Sequence, residues 1–287
     1  MEGSGCGGHD VAPVLVMVRF AVATLTPLVS VKDVALGDGV HLRCAEQGPA
    51  SGPALILLHG YSDSSLSFSR VMPLLPQGLR VIAPDLRGHG HSARPANGYR
   101  IGDLAQDVIE MMDRLDVPEA TILGHSMGSF VANAVAERAP KRVSKLILLG
   151  SGAATDTPVL RQLRVEVDSL SDPVDDGFVR AFQYSTVEQP VPSEFMEAVI
   201  ANSRRMPVHV WKKVLQGLIE YRPLQPRPDV PTLVLGGTRD SVFSVDEQTA
   251  LAGEFPNAGL RLVDGIGHTL HWEQPERFVA IVLNFLK

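Results

Sequence analysis

The stretch "ATILGHSMGSFVANAVAERAP" (residues 120–140) decides the fold. An apolar run from Ala120 to Leu123 meets Gly124-His125-Ser126-Met127-Gly128, and a helix-like segment follows at once. That order reads as a strand, a tight turn and a helix, with one serine at the junction. G-x-S-x-G alone is a short pattern that arises often by chance; its weight comes from the strand before it and the helix after it. The glycines have a mechanical use, because side chains beside a sharp, strained turn would collide with the adjoining strand and helix. Beyond Met127, the small residues Ala132, Ala134 and Ala136 allow that helix to lie close against a sheet.

Outward from this junction the same alternation recurs. Short apolar runs stand at "ALILLHG", "RVIAPD", "RVSKLILLG", "PTLVLGG" and "GLRLVDG", each followed by helix or loop. Continuous apolar strands alternating with helices predict an α/β fold, a mostly parallel, doubly wound sheet covered on both faces. Ahead of them, "VKDVAL" and "VHLRCAEQG" flank "GDG", a hairpin turn in which glycine accepts positive φ. In "IGDLAQDVIEMMDRL", residues Ile101, Leu104, Val108, Met111, Met112 and Leu115 make one apolar helical stripe, most simply core packing.

The alternation stops after Gly152. Residues 153–229 hold four helix-like segments, "PVLRQLRVEVDSL", "DDGFVRAFQY", "SEFMEAVIANSRRM" and "HVWKKVLQGLIEY", and no convincing strand. This predicts a helical cap (153–229) inserted into a core made of 31–152 and 230–287, which closes with the helix "PERFVAIVLNFLK".

Composition narrows the function. A chain of 287 residues, 45% hydrophobic and 20% charged, is globular material with room for one large domain carrying an insertion. A net charge of −6 with no extended basic run argues against nucleic acid as a partner. Two cysteines, Cys6 and Cys44, make neither a disulfide framework nor a metal spacing, which fits a reducing, cytoplasmic location. Residues 1–30 are a leader of uncertain structure. Its apolar part, "VAPVLVMVRFAVATLTPLVS", leaves export as an alternative, but no basic segment precedes it, and Pro13, Arg19 and Pro27 interrupt it. Stable membrane insertion is therefore not expected, and Met17 is an alternative start.

A serine hydroxyl needs a base in reach, and that base needs an orienting acid. The loop after "PTLVLGG" offers Asp240, and the loop after "GLRLVDG" offers His268, so the order Ser126, Asp240, His268 suits an elbow on this kind of sheet. Each has rivals. Asp240 could merely cap the helix starting near Ser244; Asp246 and Glu247 lie in that helix start, and Asp264 sits at a strand end. His271 competes with His268 from the same loop. An oxyanion site would take the backbone N–H of Met127, at the positive end of its helix, and that of Tyr61, aimed inward by the turn at Gly60. The His59 and Tyr61 side chains are candidate substrate contacts. His89 and His91 in "PDLRGHGHS" lack a carboxylate or cysteine at ligand spacing, so no metal site is expected. No phosphate-binding glycine loop appears, and no cofactor is expected.

Together, "LLHGYSDSS", "PDLRGHGHS", "ILGHSMGS", "LGGTRDSV" and "GIGHTLHWEQPERF" resemble the α/β-hydrolase superfamily over residues 31–287, in that family's order and approximate spacing. The resemblance implies Ser126 as nucleophile, His268 as base, Asp240 as acid, the Tyr61 and Met127 N–H groups as oxyanion donors, and the insertion as a lid. It implies a serine hydrolase that cleaves an ester or lactone of a small to medium apolar substrate through an acyl-enzyme. A carbon–carbon bond hydrolase, a cofactor-free perhydrolase or oxygenase, and a ligand-binding receptor share the triad and remain alternatives. Haloalkane dehalogenases and epoxide hydrolases of this family carry aspartate at the elbow, and Ser126 argues against both. Phe182, Tyr184, Phe195 and Trp211 are candidate pocket walls in the cap. Arg161, Arg164, Arg204, Arg205, Lys212 and Lys213 are candidates to greet a substrate carboxylate, though exposed helix faces explain them as simply.

Overall fold

Strand β3 (Ala54–Leu58) is the hinge of the topology, because the sheet grows from it in both directions. A computed structural model describes residues 29–37, 39–225 and 227–287, so residues 1–28 of the expected leader and Asp38 of the hairpin turn lie outside the described residues. The strands are β1 (Ser30–Ala35), β2 (His41–Gln47), β3, β4 (Arg80–Pro84), β5 (Ala120–His125), β6 (Val143–Leu149), β7 (Thr232–Gly237) and β8 (Ala258–Val263). Their order in the sheet is β1-β2-β4-β3-β5-β6-β7-β8. β1 and β2 pair antiparallel, β2 joins β4 antiparallel, and the remaining pairings are parallel. The doubly wound, mostly parallel sheet read from the apolar runs is thus the sheet observed. Because β4 lies on one side of β3 and β5 on the other, a crevice opens at their carboxyl ends, where ligands of such sheets bind.

Side-chain alternation splits the sheet's interior into two layers. Ile56, Leu58, Ile122, Leu146 and Leu148 point to one face, where they meet α1 (Ile101–Arg114) and α2 (Met127–Arg138) through Val108, Met111, Val131 and Val135. Leu55, Leu57, Leu123, Ile147 and Leu149 point to the other, against Phe68 and against Phe278, Val279 and Val282 of α9 (Pro275–Leu286). Each such buried aliphatic side chain contributes roughly 1.5–3 kcal/mol relative to exposure, which is why aliphatic residues dominate the middle of these strands. The predicted stripe of α1 is buried throughout, from Ile101 to Leu115.

Between β6 and β7 the chain forms α3 (Pro158–Asp168), α4 (Asp176–Tyr184), α5 (Ser193–Ser203) and α6 (Val208–Ile219). After β7, α7 (Val245–Glu254) begins with a reciprocal cap: Ser244 Oγ accepts from the Glu247 N–H at 3.3 Å, and Glu247 Oε2 accepts from the Ser244 N–H at 2.7 Å. The short α8 (Leu270–Glu273) follows β8 and leads into α9. Among the described residues no helix is long and apolar enough to cross a membrane.

Candidate active site

Four strand ends deliver the residues in question to one place. β3 runs into the loop holding Tyr61, β5 ends directly before Ser126, the loop after β7 carries Asp240, and the loop after β8 carries His268. Tyr61, Ser126 and His268 line a single cavity of about 660 Å³.

Ser126 sits on strained backbone, with φ 51° and ψ −121°, a conformation that costs a non-glycine residue about 1–3 kcal/mol. Its N–H donates to Leu149 O at 2.9 Å, and its carbonyl accepts from the Ser129 N–H at 2.8 Å, so both neighbours in the fold hold the turn. The two motif glycines are there for space. A Cβ on Gly124 would lie 2.1 Å from Gly128 O, and one on Gly128 would lie 2.2 Å from Leu58 O. Helix α2 therefore starts in direct backbone contact with β3 and β5, which puts the serine at the crevice. Among the described residues its hydroxyl has no hydrogen-bond partner; catalytic hydrogen bonds are often long before substrate arrives.

His268 is 4% exposed, and its Nδ1 lies 3.0 and 2.9 Å from Asp240 Oδ1 and Oδ2. A carboxylate there fixes the proton on Nδ1 and leaves Nε2 as the free base. Gly150, with φ +56°, packs against the imidazole: a Cβ at that position would lie 3.0 Å from Nδ1. Asp240 does both things its position offered. Its Oδ1 accepts from the Val242 and Phe243 N–H groups at 2.8 and 3.0 Å while the carboxyl holds His268. The rival residues are engaged elsewhere. Asp264 accepts from Thr238 Oγ1 at 3.0 Å, Glu247 caps α7, Asp246 is exposed, and the wholly buried His271 reaches Ser67 Oγ through Nε2 at 3.0 Å.

The Tyr61 and Met127 N–H groups have no acceptor among the described residues. The His59 side chain does not touch the cavity, contrary to one expectation. It is fully buried, donates from Nδ1 to Gly60 O at 2.8 Å and accepts the Leu86 N–H on Nε2 at 2.9 Å, so it braces the turn before Tyr61. Burial pushes its pKa down to about 4, so it stays neutral. His125 and His271 are likewise held well below the ordinary histidine value by burial. His89 stacks edge-on to His59 with ring centroids 4.9 Å apart, and His91 Nδ1 faces Arg205 at 3.3 Å; neither meets the other as a ligand pair would.

Of the four aromatic candidates, of which one or two were expected to wall the pocket, Phe182 lines it and Tyr184, Phe195 and Trp211 do not. Tyr184 turns outward at 46% exposure. Phe195 packs on Trp272 with centroids 5.5 Å apart. Trp211 lies behind the wall, edge-on to Tyr61 at 5.2 Å and Phe182 at 5.8 Å, and its carbonyl accepts from Tyr61 Oη at 2.8 Å. Phe178, one turn before Phe182 on α4, lines the cavity instead, with Leu160 and Leu163 of α3 beside it. Helical period was the missed signal, since positions 178 and 182 share a face and 184 does not. Asp63 and Gln183 are further lining residues that no sequence pattern marked. The six basic residues of α3–α6 and their connections do not line the cavity. Arg161 and Arg164 pair with Asp156 and Asp168 at 2.8 and 2.7 Å, Arg204 pairs with Asp176, and Lys213 reaches Asn97 at 2.8 Å.

Comparison with known proteins adds an independent line. A family model described as the alpha/beta hydrolase fold matches residues 53–182. The 3-oxoadipate enol-lactonase 2 of Acinetobacter baylyi is 27% identical over 257 residues, 88% of this chain and 95% of its own. A non-heme chloroperoxidase of Streptomyces lividans is 29% identical over 276 residues, 88% of this chain and 99% of its own. The crystal structure of an esterase from Rhodococcus sp. ECU1013 superposes with a TM-score of 0.77 at 26% identity, covering 90% of this chain and 98% of the other.

Proposed function

Since the chain belongs to the α/β-hydrolase superfamily and is an enzyme of that fold, we propose that it is a serine hydrolase cleaving the carboxylic ester or lactone of a small to medium, largely apolar substrate. The observation that carries this reading is that Ser126 and His268, the latter held from behind by Asp240, open on one cavity with mostly hydrocarbon walls. The esterase and enol-lactonase among its relatives support the reaction class.

In this reading, His268 Nε2 takes the proton of Ser126 Oγ as the oxygen attacks the substrate carbonyl. The oxyanion accepts from the Tyr61 and Met127 N–H groups, whose donors need no reorganisation as the charge develops. Collapse breaks the bond to the alkoxide, which leaves with the proton from His268. Water then gives its proton to His268 and attacks the acyl-enzyme, and the acid departs as Ser126 regains its proton. Asp240 holds the tautomer and stabilises the imidazolium. Residues 153–229 act as a cap over the core of 31–152 and 230–287, and the apolar faces of α3 and α4 select the acyl or alcohol group.

A series of p-nitrophenyl esters with lengthening acyl chains, run beside simple lactones, tests the proposal. While the chain stays within the cavity, each added methylene should raise kcat/KM by roughly threefold to fourfold, the equivalent of about 0.8 kcal/mol per buried CH₂. Failure of every ester and lactone to turn over faster than without enzyme would overturn it.

A further inference from the structure

We propose that Asp63 sets the charge selectivity of this cavity, so that the enzyme accepts uncharged esters or lactones and turns away substrates that carry a carboxylate. The proposal rests on the ester-hydrolase reading of the same site.

Asp63 is 4% exposed and lines the cavity with Gly60, Ser126 and His268. It stands at the reacting end: its Oδ2 lies 3.2 Å from where a Cβ on Gly60 would sit, beside the proposed oxyanion donor Tyr61. Its position is held by a polar lattice. Gln183 Nε2, on α4, lies 3.3 Å from Asp63 Oδ1, 3.0 Å from Ser62 Oγ and 2.9 Å from Ser203 Oγ, and Ser203 Oγ in turn donates to Val199 O at 2.9 Å.

All of those partners are neutral. Two other buried carboxylates have a guanidinium, Glu46 with Arg80 at 2.6 Å and Asp107 with Arg87 at 2.5 Å, and buried Asp85 accepts from the Ser65 and His91 N–H groups at 2.8 Å each and from Ser65 Oγ at 2.7 Å. Among the described residues Asp63 forms no ion pair with Lys or Arg. Burial accordingly pushes its pKa up to about 7, against smaller opposing effects of Gln183, His268 and Ser67. Among the described residues no Lys or Arg lines the cavity, while Glu166 does.

A substrate carboxylate entering this space would lose its water, find no Lys or Arg to pair with, and meet the Asp63 carboxyl near the reacting carbon. Removing a charge from water without a partner is heavily disfavoured, and a second like charge adds to the penalty. An uncharged ester meets none of this. An unpaired buried carboxyl weakens the fold, so its placement on the cavity wall, rather than in the core, is best accounted for by selection of substrate.

The test compares two substrates that differ only by one methyl ester, p-nitrophenyl methyl glutarate and mono-p-nitrophenyl glutarate, at pH 8 with the uncatalysed rate subtracted. The wild-type enzyme should favour the uncharged diester in kcat/KM on the order of 100-fold. The Asp63→Asn variant should narrow that ratio by about tenfold or more, whatever its absolute rate. Equal turnover of both substrates by the wild type, or an unchanged ratio in a folded Asp63→Asn variant, overturns the proposal and leaves the ester reading standing. No turnover of the diester sinks both. If the variant does not fold, inhibition of the wild type decides: pentanamide should bind at least about tenfold more tightly than pentanoate, and equal inhibition overturns the proposal.

Discussion

The Ser126→Ala variant should lose about 10⁴- to 10⁶-fold in kcat toward p-nitrophenyl esters, with KM changed little. The reasoning is geometric. The hydroxyl is the group that would form the acyl bond, and the remaining devices, the oxyanion donors and the cavity, stabilise charge and position substrate without supplying a nucleophile. A residual rate above that in water is expected from those devices alone. The loss should not come from unfolding. Ser126 Oγ has no hydrogen-bond partner among the described residues, and the strained turn is held by backbone bonds to Leu149 and Ser129, which alanine keeps. Steady-state kinetics with thermal melting of the same sample checks both halves. A kcat within tenfold of wild type would remove Ser126 from the mechanism.

The Asp240→Asn variant should lose about 10⁴-fold in kcat. Asparagine keeps the volume, and its amide oxygen can still accept from the Val242 and Phe243 N–H groups that Asp240 Oδ1 now serves. The amide NH₂ then faces His268 Nδ1, which must become an acceptor. The imidazole proton moves to Nε2, and the base that should deprotonate Ser126 is lost. Asp264→Asn, in contrast, should change kcat by less than about twofold, because Asp264 is exposed, accepts from Thr238 Oγ1 and does not line the cavity. Full activity of Asp240→Asn in the same assay would move the acid elsewhere.

Much of this fold was legible because its signals are local. Runs such as "ALILL" and "KLILL" are the length of a strand and apolar on both faces, which is what a sheet covered on both sides requires. The glycines around Ser126 announced a close approach, and the contacts of Gly124 with Gly128 and of Gly128 with Leu58 are that approach. Asp240 and His268 could be nominated because each follows a strand and the order along the chain suits the sheet. What sequence could not supply was direction in three dimensions. Trp211 and Phe182 lie in neighbouring helices with similar apolar character, yet one backs the wall and the other forms it, a matter of how α4 and α6 cross. His59 looked like a substrate contact and proved to be a brace, because its loop turns the ring inward to Gly60 and Leu86. Asp63 gave no sign of burial. Acidic residues in glycine- and serine-rich loops are ordinarily solvated, and only the packing of Gln183 from a helix 120 residues later along the chain covers this one.

Intact-protein mass spectrometry after reaction with a p-nitrophenyl alkylphosphonate tests the central claim most directly. Attack by Ser126 Oγ on phosphorus forms the O–P bond and expels p-nitrophenolate, leaving a stable mimic of the tetrahedral intermediate in the oxyanion site. The account requires one phosphonyl group per chain, located by peptide mapping on Ser126, with esterase activity lost in proportion. A fully active protein without the adduct, or an adduct on any other residue that accounts for the lost activity, would contradict it.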